Sequence, residues 1–305
     1  MIYDFAPIVL FVYNRPWHTK ETLSRLEKAN LAQDSVLYIF SDGAKTPKQE
    51  QDVNEVRRII RGRWNFKSVY VIEREKNIGL AANVIDGVST VIQKYTHVIV
   101  LEDDVLLSQH SLQYFNDALT LYINEEKVMH IGSYMYNIDK TGLDETFFTR
   151  LVSSQAWATW DRAWQHFEPD TEKLIVQFDR KKIKAFSFEH SMNFWRQINL
   201  QRKGLINSWA VRWYASVFLQ GGLGLQCSSS LIINIGHDGT GVHSEISDMF
   251  DTEIKKDKVT YFPTTIVESV QGYHALKSFF KHRKGSLRDR LKRWLKNKLY
   301  NFSAR

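Results

Sequence analysis

Residues His97 to Ser108 read HVIVLEDDVLLS: four apolar residues, three carboxylates, then apolar residues again. The unbroken run Val98-Ile99-Val100-Leu101 has no polar alternation, as expected of a strand buried on both faces in a parallel sheet covered by helices. Glu102, Asp103 and Asp104 repel one another, and unpaired charge is costly to bury, so packing alone does not account for them at that strand's end. A solvated acidic turn is one explanation. A divalent cation, which takes oxygen ligands, is the other. Such a cation bridges a protein carboxylate to a diphosphate.

Outward from this stretch, strands and helices alternate. PIVLFVY (7–13), SVLYIFSD (35–42) and KSVYVIER (67–74) read as strands, with helices over 15–29, 47–62, 80–95 and 112–124. Alternation with short loops predicts βαβ units, a mostly parallel sheet and helices on both faces. Ligands of such sheets sit outside the carboxyl ends of the strands. Those ends read Tyr13-Asn14-Arg15, Ser41-Asp42-Gly43, Glu73-Arg74 and Glu102-Asp103-Asp104. Past Arg150 the alternation gives way to a more helical half, with helices expected over 171–183, 187–202 and 208–220, a strand-like LQCSSSLIINIG, and the Gly/His-rich NIGHDGTGVHS (234–244).

The 305 residues, 43% of them hydrophobic, suffice for one large domain or two fused ones. The single Cys227 can form neither an internal disulfide nor a Cys-based zinc site, which fits a reducing, cytoplasmic setting. The N-terminal MIYDFAPIVLFVYNRP reads as a strand and not as a signal peptide, and no apolar run is long enough to cross a membrane. From Lys277 to Arg305 there are 11 Lys/Arg and one acid, so the net charge of +7 belongs to this stretch and not to the body. Leu287, Leu291, Trp294, Leu295, Leu299 and Phe302 recur there at helical spacing, as in a helix lying in a membrane surface. Docking of that helix on the body is the alternative, and no nucleic acid is expected. The chain divides into an alternating, Rossmann-like half (1–135), a more helical half of the same domain (136–262) and a basic amphipathic tail (263–305).

No GxxxxGK[ST] or GxGxxG accompanies the first strand, which argues against P-loop hydrolases and nicotinamide enzymes. A metal-dependent enzyme using a linked nucleoside diphosphate remains, and sugar transfer fits it: the metal stabilises the departing diphosphate while the protein positions donor and acceptor. A nucleotidyltransferase is the rival on a related scaffold, but YNRPWHTK lacks that class's glycine-rich loop. A non-catalytic relative that binds nucleotide or glycan is the other.

In order, LFVYNRP, FSDGAK, NIGLAANVIDGV and LEDDV resemble the GT-A glycosyltransferases over residues 5–245. The pattern is most similar to N-acetylglucosaminyltransferase I and bacterial relatives in capsule, O-antigen and cell-surface glycan synthesis. The resemblance implies a GT-A (Rossmann-like) α/β fold, a UDP-linked hexose or N-acetylhexosamine donor, a glycan or lipid-linked glycan acceptor, and Mn²⁺ or Mg²⁺. It also implies site roles: Arg15 contacts the nucleotide, Asp42 reads the base, Asp103 lies near the ribose, Asp104 binds the metal, and Glu102 faces the transferred sugar. SSQAWATWDRAW (153–164) resembles the segment that closes over the donor. Ser154, Gln155 and Trp157 are its candidate site residues because they precede an expected helix, whose N–H groups can face an anion. Trp157, Trp160 and Trp164 at helical spacing fit a packed aromatic face equally well. A C-terminal histidine completes the metal site in many such enzymes, which favours His243 over His237. The family's catalytic acid matches INSWAVRW (206–213), where Asn207, Ser208 and Ala210 stand instead. Asp161 is then the candidate base, ahead of Asp238, with Glu102 as the other catalytic carboxylate.

Overall fold

The computed structural model describes residues 5–237 and 252–283. The first apolar run forms β1 (Ile8–Val12), buried throughout. Pro16 opens α1 (Pro16–Leu26) at the first helical position, where its missing N–H costs nothing. Next come β2 (Val36–Ser41), α2 (Glu50–Ile60), β3 (Ser68–Glu73), α3 (Leu80–Tyr95) and β4 (His97–Glu102), each within a few residues of expectation. These strands pair in the order β3-β2-β1-β4, all parallel. The chain therefore moves outward from β1 to β3 and returns to place β4 on the other side of β1. Strand order reverses there, and the crevice outside the carboxyl ends of β1 and β4 is where such sheets bind ligands.

After β4 the chain forms β5 (Val105–Leu107), α4 (Ser111–Leu121), β6 (Val128–Gly132), β7 (Thr146–Thr149), β8 (Trp157–Trp160) and α5 (Asp161–Trp164). Four helices follow, α6 (Thr171–Ile175), α7 (Arg180–Phe186), α8 (Phe194–Arg202) and α9 (Trp209–Leu219), then β9 (Leu223–Cys227), β10 (Ile232–Asn234) and α10 (Val270–His282). The main sheet runs β3-β2-β1-β4-β8-β6-β9-β7 among the described residues, with β8 antiparallel to both β4 and β6. β5 leaves this sheet to pair antiparallel with β10.

The helix expected around the tryptophans is mostly a strand. Trp157 packs with Trp164, Trp209 and Trp213 on one face of the sheet, while Trp160 joins the core of the other face. A strand buried on both faces is apolar at every position, so the three- and four-residue spacing of these rings carried no helical information. Only the single turn Asp161–Trp164 is helical.

The two sheet faces each hold a core: Ile8, Leu10, Leu23, Leu101 and Phe115 on the α1 side, and Val9, Phe11, Val88, Val100 and Trp213 on the α3 side. A third core joins α7–α9 to α10 through Phe186, Phe188, Tyr214, Leu276 and Phe280. Residues 263–283 of the expected tail are thus packed on the body, and 284–305 lie outside the described residues. No described helix is long and apolar enough to cross a membrane.

Candidate active site

The parallel pairing of β1 with β4 sets Phe11 beside Glu102, so residues leaving these two strands meet. Arg15, just past β1 and at the start of α1, points its guanidinium at the triplet. Its Nη2 donates to Asp103 and, at 2.9 Å, to Asp104 Oδ2. Burial pulls the Arg15 pKa down, but the two carboxylates outweigh it and raise it, so the side chain stays charged. Asp103 also accepts from the Tyr13 N–H at 3.4 Å, and its carbonyl accepts from Thr22 Oγ1 of α1 at 2.8 Å. Asp104 accepts from Asn234 Nδ2 at 3.3 Å, and its carbonyl accepts from the Ile235 N–H at 2.8 Å. The β5–β10 ribbon makes these contacts possible, because it registers Asn234 opposite Val105.

Glu102 faces the other way. The Trp209 side chain, at the start of α9, hydrogen-bonds it. Burial first, then the nearby Asp104 and Asp103, push its pKa up to about 8, against the pull of Arg15 and Trp209. Trp209 stacks on Trp157, ring centroids 5.3 Å apart. The sequence marks Trp209 no differently from the chain's other tryptophans, and its role at Glu102 shows only in the fold. Asn234 and Gly236 join the site as well, although nothing local to the sequence announces a pairing across some 130 positions.

Asp42 is buried at the end of β2. Its carboxylate accepts from the N–H groups of Gly43, Ile78 and Gly79, each at 2.9 Å, and so pins the loop before α3 to the sheet edge. Gly43 allows the approach, since a Cβ there would sit 2.5 Å from the Lys76 carbonyl carbon. Ser154 and Gln155 precede β8. Because Trp157 pairs with Val100, that segment runs toward the carboxyl end of β4. Gln155 Oε1 and Ser153 Oγ are buried there without a hydrogen-bond partner. The helix N-terminus invoked for Ser154, Gln155 and Trp157 is not at these residues, and Trp157 is fully buried in the core.

Asp161 is not brought to the triplet. Its N–H bonds the Thr96 carbonyl and Trp160 pairs with His97, so it sits at the amino end of β4. The strand's length, roughly 16 Å, separates the two ends. Among INSWAVRW, Asn207 Oδ1 accepts from Arg212 and Ser208 caps α9. His243 and Asp238 lie outside the described residues.

No three His, Cys, Asp or Glu side chains are grouped to hold a metal among the described residues. Asp104 is the carboxylate that would hold a divalent cation here, which would supply charge neutralisation for a phosphate-bearing ligand. Asp103 and Asp104 face one guanidinium, which leaves negative charge in surplus. The Asp104 carboxylate packs directly on the Gly236 backbone, where a Cβ would lie 2.1 Å from Oδ2.

This arrangement is a Rossmann-like α/β domain, with its polar residues gathered at the switch point of the sheet. No family model and no curated protein matches the chain. Similar solved structures include a mannosyltransferase, PcManGT from Pyrobaculum calidifontis, in complex with GDP-Man and Mn²⁺: 13% identity, covering 71% of this chain and 77% of that one, TM-score 0.39. S. aureus TarS is 13% identical, with 74% of this chain and 36% of TarS covered at TM-score 0.39. A cytidylyltransferase from Leptospira borgpetersenii is 12% identical, with 57% and 65% covered at TM-score 0.32. The chain thus spans about a third of TarS and about two thirds of the cytidylyltransferase. Likeness at this level carries no activity over to this chain.

Proposed function

We propose that the chain is a metal-dependent glycosyltransferase that moves a hexose or N-acetylhexosamine from a nucleotide sugar, UDP-linked, to a glycan or lipid-linked glycan. The observation that supports this reading is the meeting of Arg15, Asp103 and Asp104 at the switch point between β1 and β4.

Arg15 uses one nitrogen for the two carboxylates, and its remaining N–H donors suit the oxygens of a diphosphate. Asp103 orients Arg15 and offers a free lone pair to a ribose hydroxyl. Asp42 shapes the nucleoside end by fixing the 77–79 loop. Asp104, with His243, is the candidate to hold Mn²⁺ or Mg²⁺, which when bound neutralises charge on the leaving diphosphate. Glu102, turned toward Trp209 and the 153–157 segment, faces the transferred sugar. Proton removal from the acceptor hydroxyl falls to it, since Asp161 is a strand's length away. The basic stretch 277–305 holds the protein at the inner face of the cytoplasmic membrane.

The test is nucleotide release from a panel of nucleotide sugars, with Mn²⁺ or Mg²⁺ present. Release that disappears in Asp104→Ala is expected. Undiminished metal-dependent release in that variant sinks the reading, and pyrophosphate as product identifies a nucleotidyltransferase instead.

A further inference from the structure

Helices α6 to α8 carry a surface that the transfer chemistry does not use. Between Thr171 and Lys203 the chain has eight Lys/Arg and three acids. The acids are engaged: Glu172 binds Arg202 at 2.7 Å, Asp179 accepts from the Lys182 N–H at the start of α7, and Glu189 pairs with Lys277 of α10. Arg180, Lys181, Lys184, Arg196 and Lys203 are exposed and form no ion pair among the described residues.

Two aliphatic side chains stand among these cations. Val176 is 80% exposed and Leu205 67%, although both adjoin a layer with a well-filled core of its own. Hydrogen bonds link the segments that carry them. Val176 follows Lys173 by one helical turn, and Lys182 Nζ reaches the neighbouring Gln177 carbonyl at 2.9 Å. The Arg202–Glu172 bond ties the end of α8, three residues before Leu205, to the start of α6.

This surface borders the candidate site. Leu205 precedes Trp209, the residue on Glu102, by four positions, which is at most about 14 Å of chain. Gln201 Oε1 accepts from the Ser208 N–H at 2.7 Å, and Arg212 of α9 donates to the Pro169 carbonyl just ahead of α6. The layer is therefore clamped to the same helix that presents Trp209.

A basic surface with protruding aliphatic side chains is complementary to an anionic bilayer, where Lys and Arg meet headgroup phosphates and the aliphatics enter the acyl boundary. A nucleic acid would engage the cations but leave Val176 and Leu205 without a role, and a second copy of the same basic surface would repel it. We propose that the face formed by α6, α7 and the α8–α9 loop seats on an anionic lipid surface, with the start of α9, which carries Trp209, on the bilayer side. The surface is distinct from residues 277–305. Its reading as the side where an acceptor enters rests on the proposed transferase activity.

The experiment uses the full chain. Its single cysteine, Cys227, is buried, so Val176→Cys, Leu205→Cys and, as a distant control, Arg63→Cys each provide one accessible thiol for an environment-sensitive fluorophore. Labels at 176 and 205 are expected to shift blue and brighten with phosphatidylcholine vesicles containing phosphatidylglycerol, but not with phosphatidylcholine alone, while the label at 63 stays unchanged. Charge reversal at Lys181 and Lys184 should weaken partition by roughly fivefold or more per residue. Vesicle binding with both labels unresponsive overturns the proposal and leaves the basic tail as the contact; so does the absence of any vesicle binding. Nucleotide release is measured separately without lipid. Responsive labels in a protein that turns over no nucleotide sugar leave the lipid surface standing and remove only the transferase reading.

Discussion

Replacing Arg15 by Met separates what this side chain does for the fold from what it does for a ligand. Asp103 is 7% exposed at its side chain and its carboxylate has, among the described residues and besides Arg15, only the Tyr13 N–H at 3.4 Å. Losing one member of a buried pair strands the other charge and costs about 3–5 kcal/mol. The 17% exposure of Arg15 lets water reach the gap, so the lower figure, about 3 kcal/mol, applies. Asp103→Asn is milder, about 1 kcal/mol, because Arg15 keeps Asp104 at 2.9 Å. Combining the two changes removes the stranded charge. The double variant should therefore be more stable than Arg15→Met alone, with a coupling energy of about 2 kcal/mol between the sites. Urea unfolding followed by circular dichroism near neutral pH measures all of these. Calorimetry with UDP and Mn²⁺ supplies the second readout, in which both Met-containing proteins bind weakly whatever their stability. If Arg15→Met unfolds at the wild-type midpoint, or the double variant is no more stable than the single, Asp103 does not depend on Arg15 and the geometry proposed for the site is wrong.

Gly236→Ala should drive a Cβ into the Asp104 carboxylate, displace it and weaken UDP–Mn²⁺ binding by about 1.5–3 kcal/mol, roughly 10- to 150-fold; unchanged affinity in calorimetry would show that the position of the Asp104 carboxylate does not matter for ligand binding. Trp209→Phe keeps the stacking on Trp157 but removes the hydrogen bond to Glu102, so turnover should fall roughly tenfold or more. Asp161→Asn should leave turnover intact, and the opposite ranking of these two variants would return the base to Asp161. Burial pushes the His130 imidazole down to about 3, with Nδ1 accepting from Trp213 Nε1 at 3.3 Å. The native state then stays neutral where the unfolded chain, with a pKa of about 6.5, takes up a proton. Stability from this group is complete above about pH 6.5 and falls as pH drops toward 3, by up to about 1.4 kcal/mol per unit. His130→Asn should remove that part of the slope in urea titrations between about pH 6 and pH 4. Parallel slopes in the two proteins would show that His130 is not held neutral.

The first half of the fold was legible because each of its elements declares itself locally. Pro16 starts α1, Leu80 to Tyr95 carries one continuous helical stripe, and β1 and β4 are apolar at nearly every position. The second half was not, since its strands are short and their partners distant. β7 spans only Thr146–Thr149, and β8 is a tryptophan-rich strand whose ring spacing imitates a helix. The same division holds for the site. Arg15 and the acidic triplet sit at strand ends that sequence pattern locates. Asn234 and Gly236 reach Asp104 only through the β5–β10 ribbon, and Asp161 lay in a site-like segment that the antiparallel course of β8 carries away from the triplet. Asp42 was legible in place, but the three backbone N–H groups it accepts could not be read before the 77–79 loop was folded onto it.

Strand parity explains why three adjacent carboxylates can serve one site without occupying one position. Successive side chains of a strand point to opposite faces. Val98 and Val100 face the core beneath α3, with Trp157 and Trp213, while Ile99 and Leu101 face the core beneath α1. Glu102 continues the first series and so arrives at Trp209. Asp103 continues the second and arrives beside α1, where Thr22 holds its carbonyl and Arg15 its carboxylate. Asp104 comes after the strand has ended and is turned back by β10 toward the same guanidinium. The repulsion that made the triplet implausible as packing is therefore reduced by geometry before any ligand arrives: one acid lies on the indole side of the sheet and two lie on the arginine side. A substitution that keeps the charge but moves it by one position along the strand should be as damaging as removing it. A strand reaches its two faces only in alternation, and neither face can borrow the other's carboxylate.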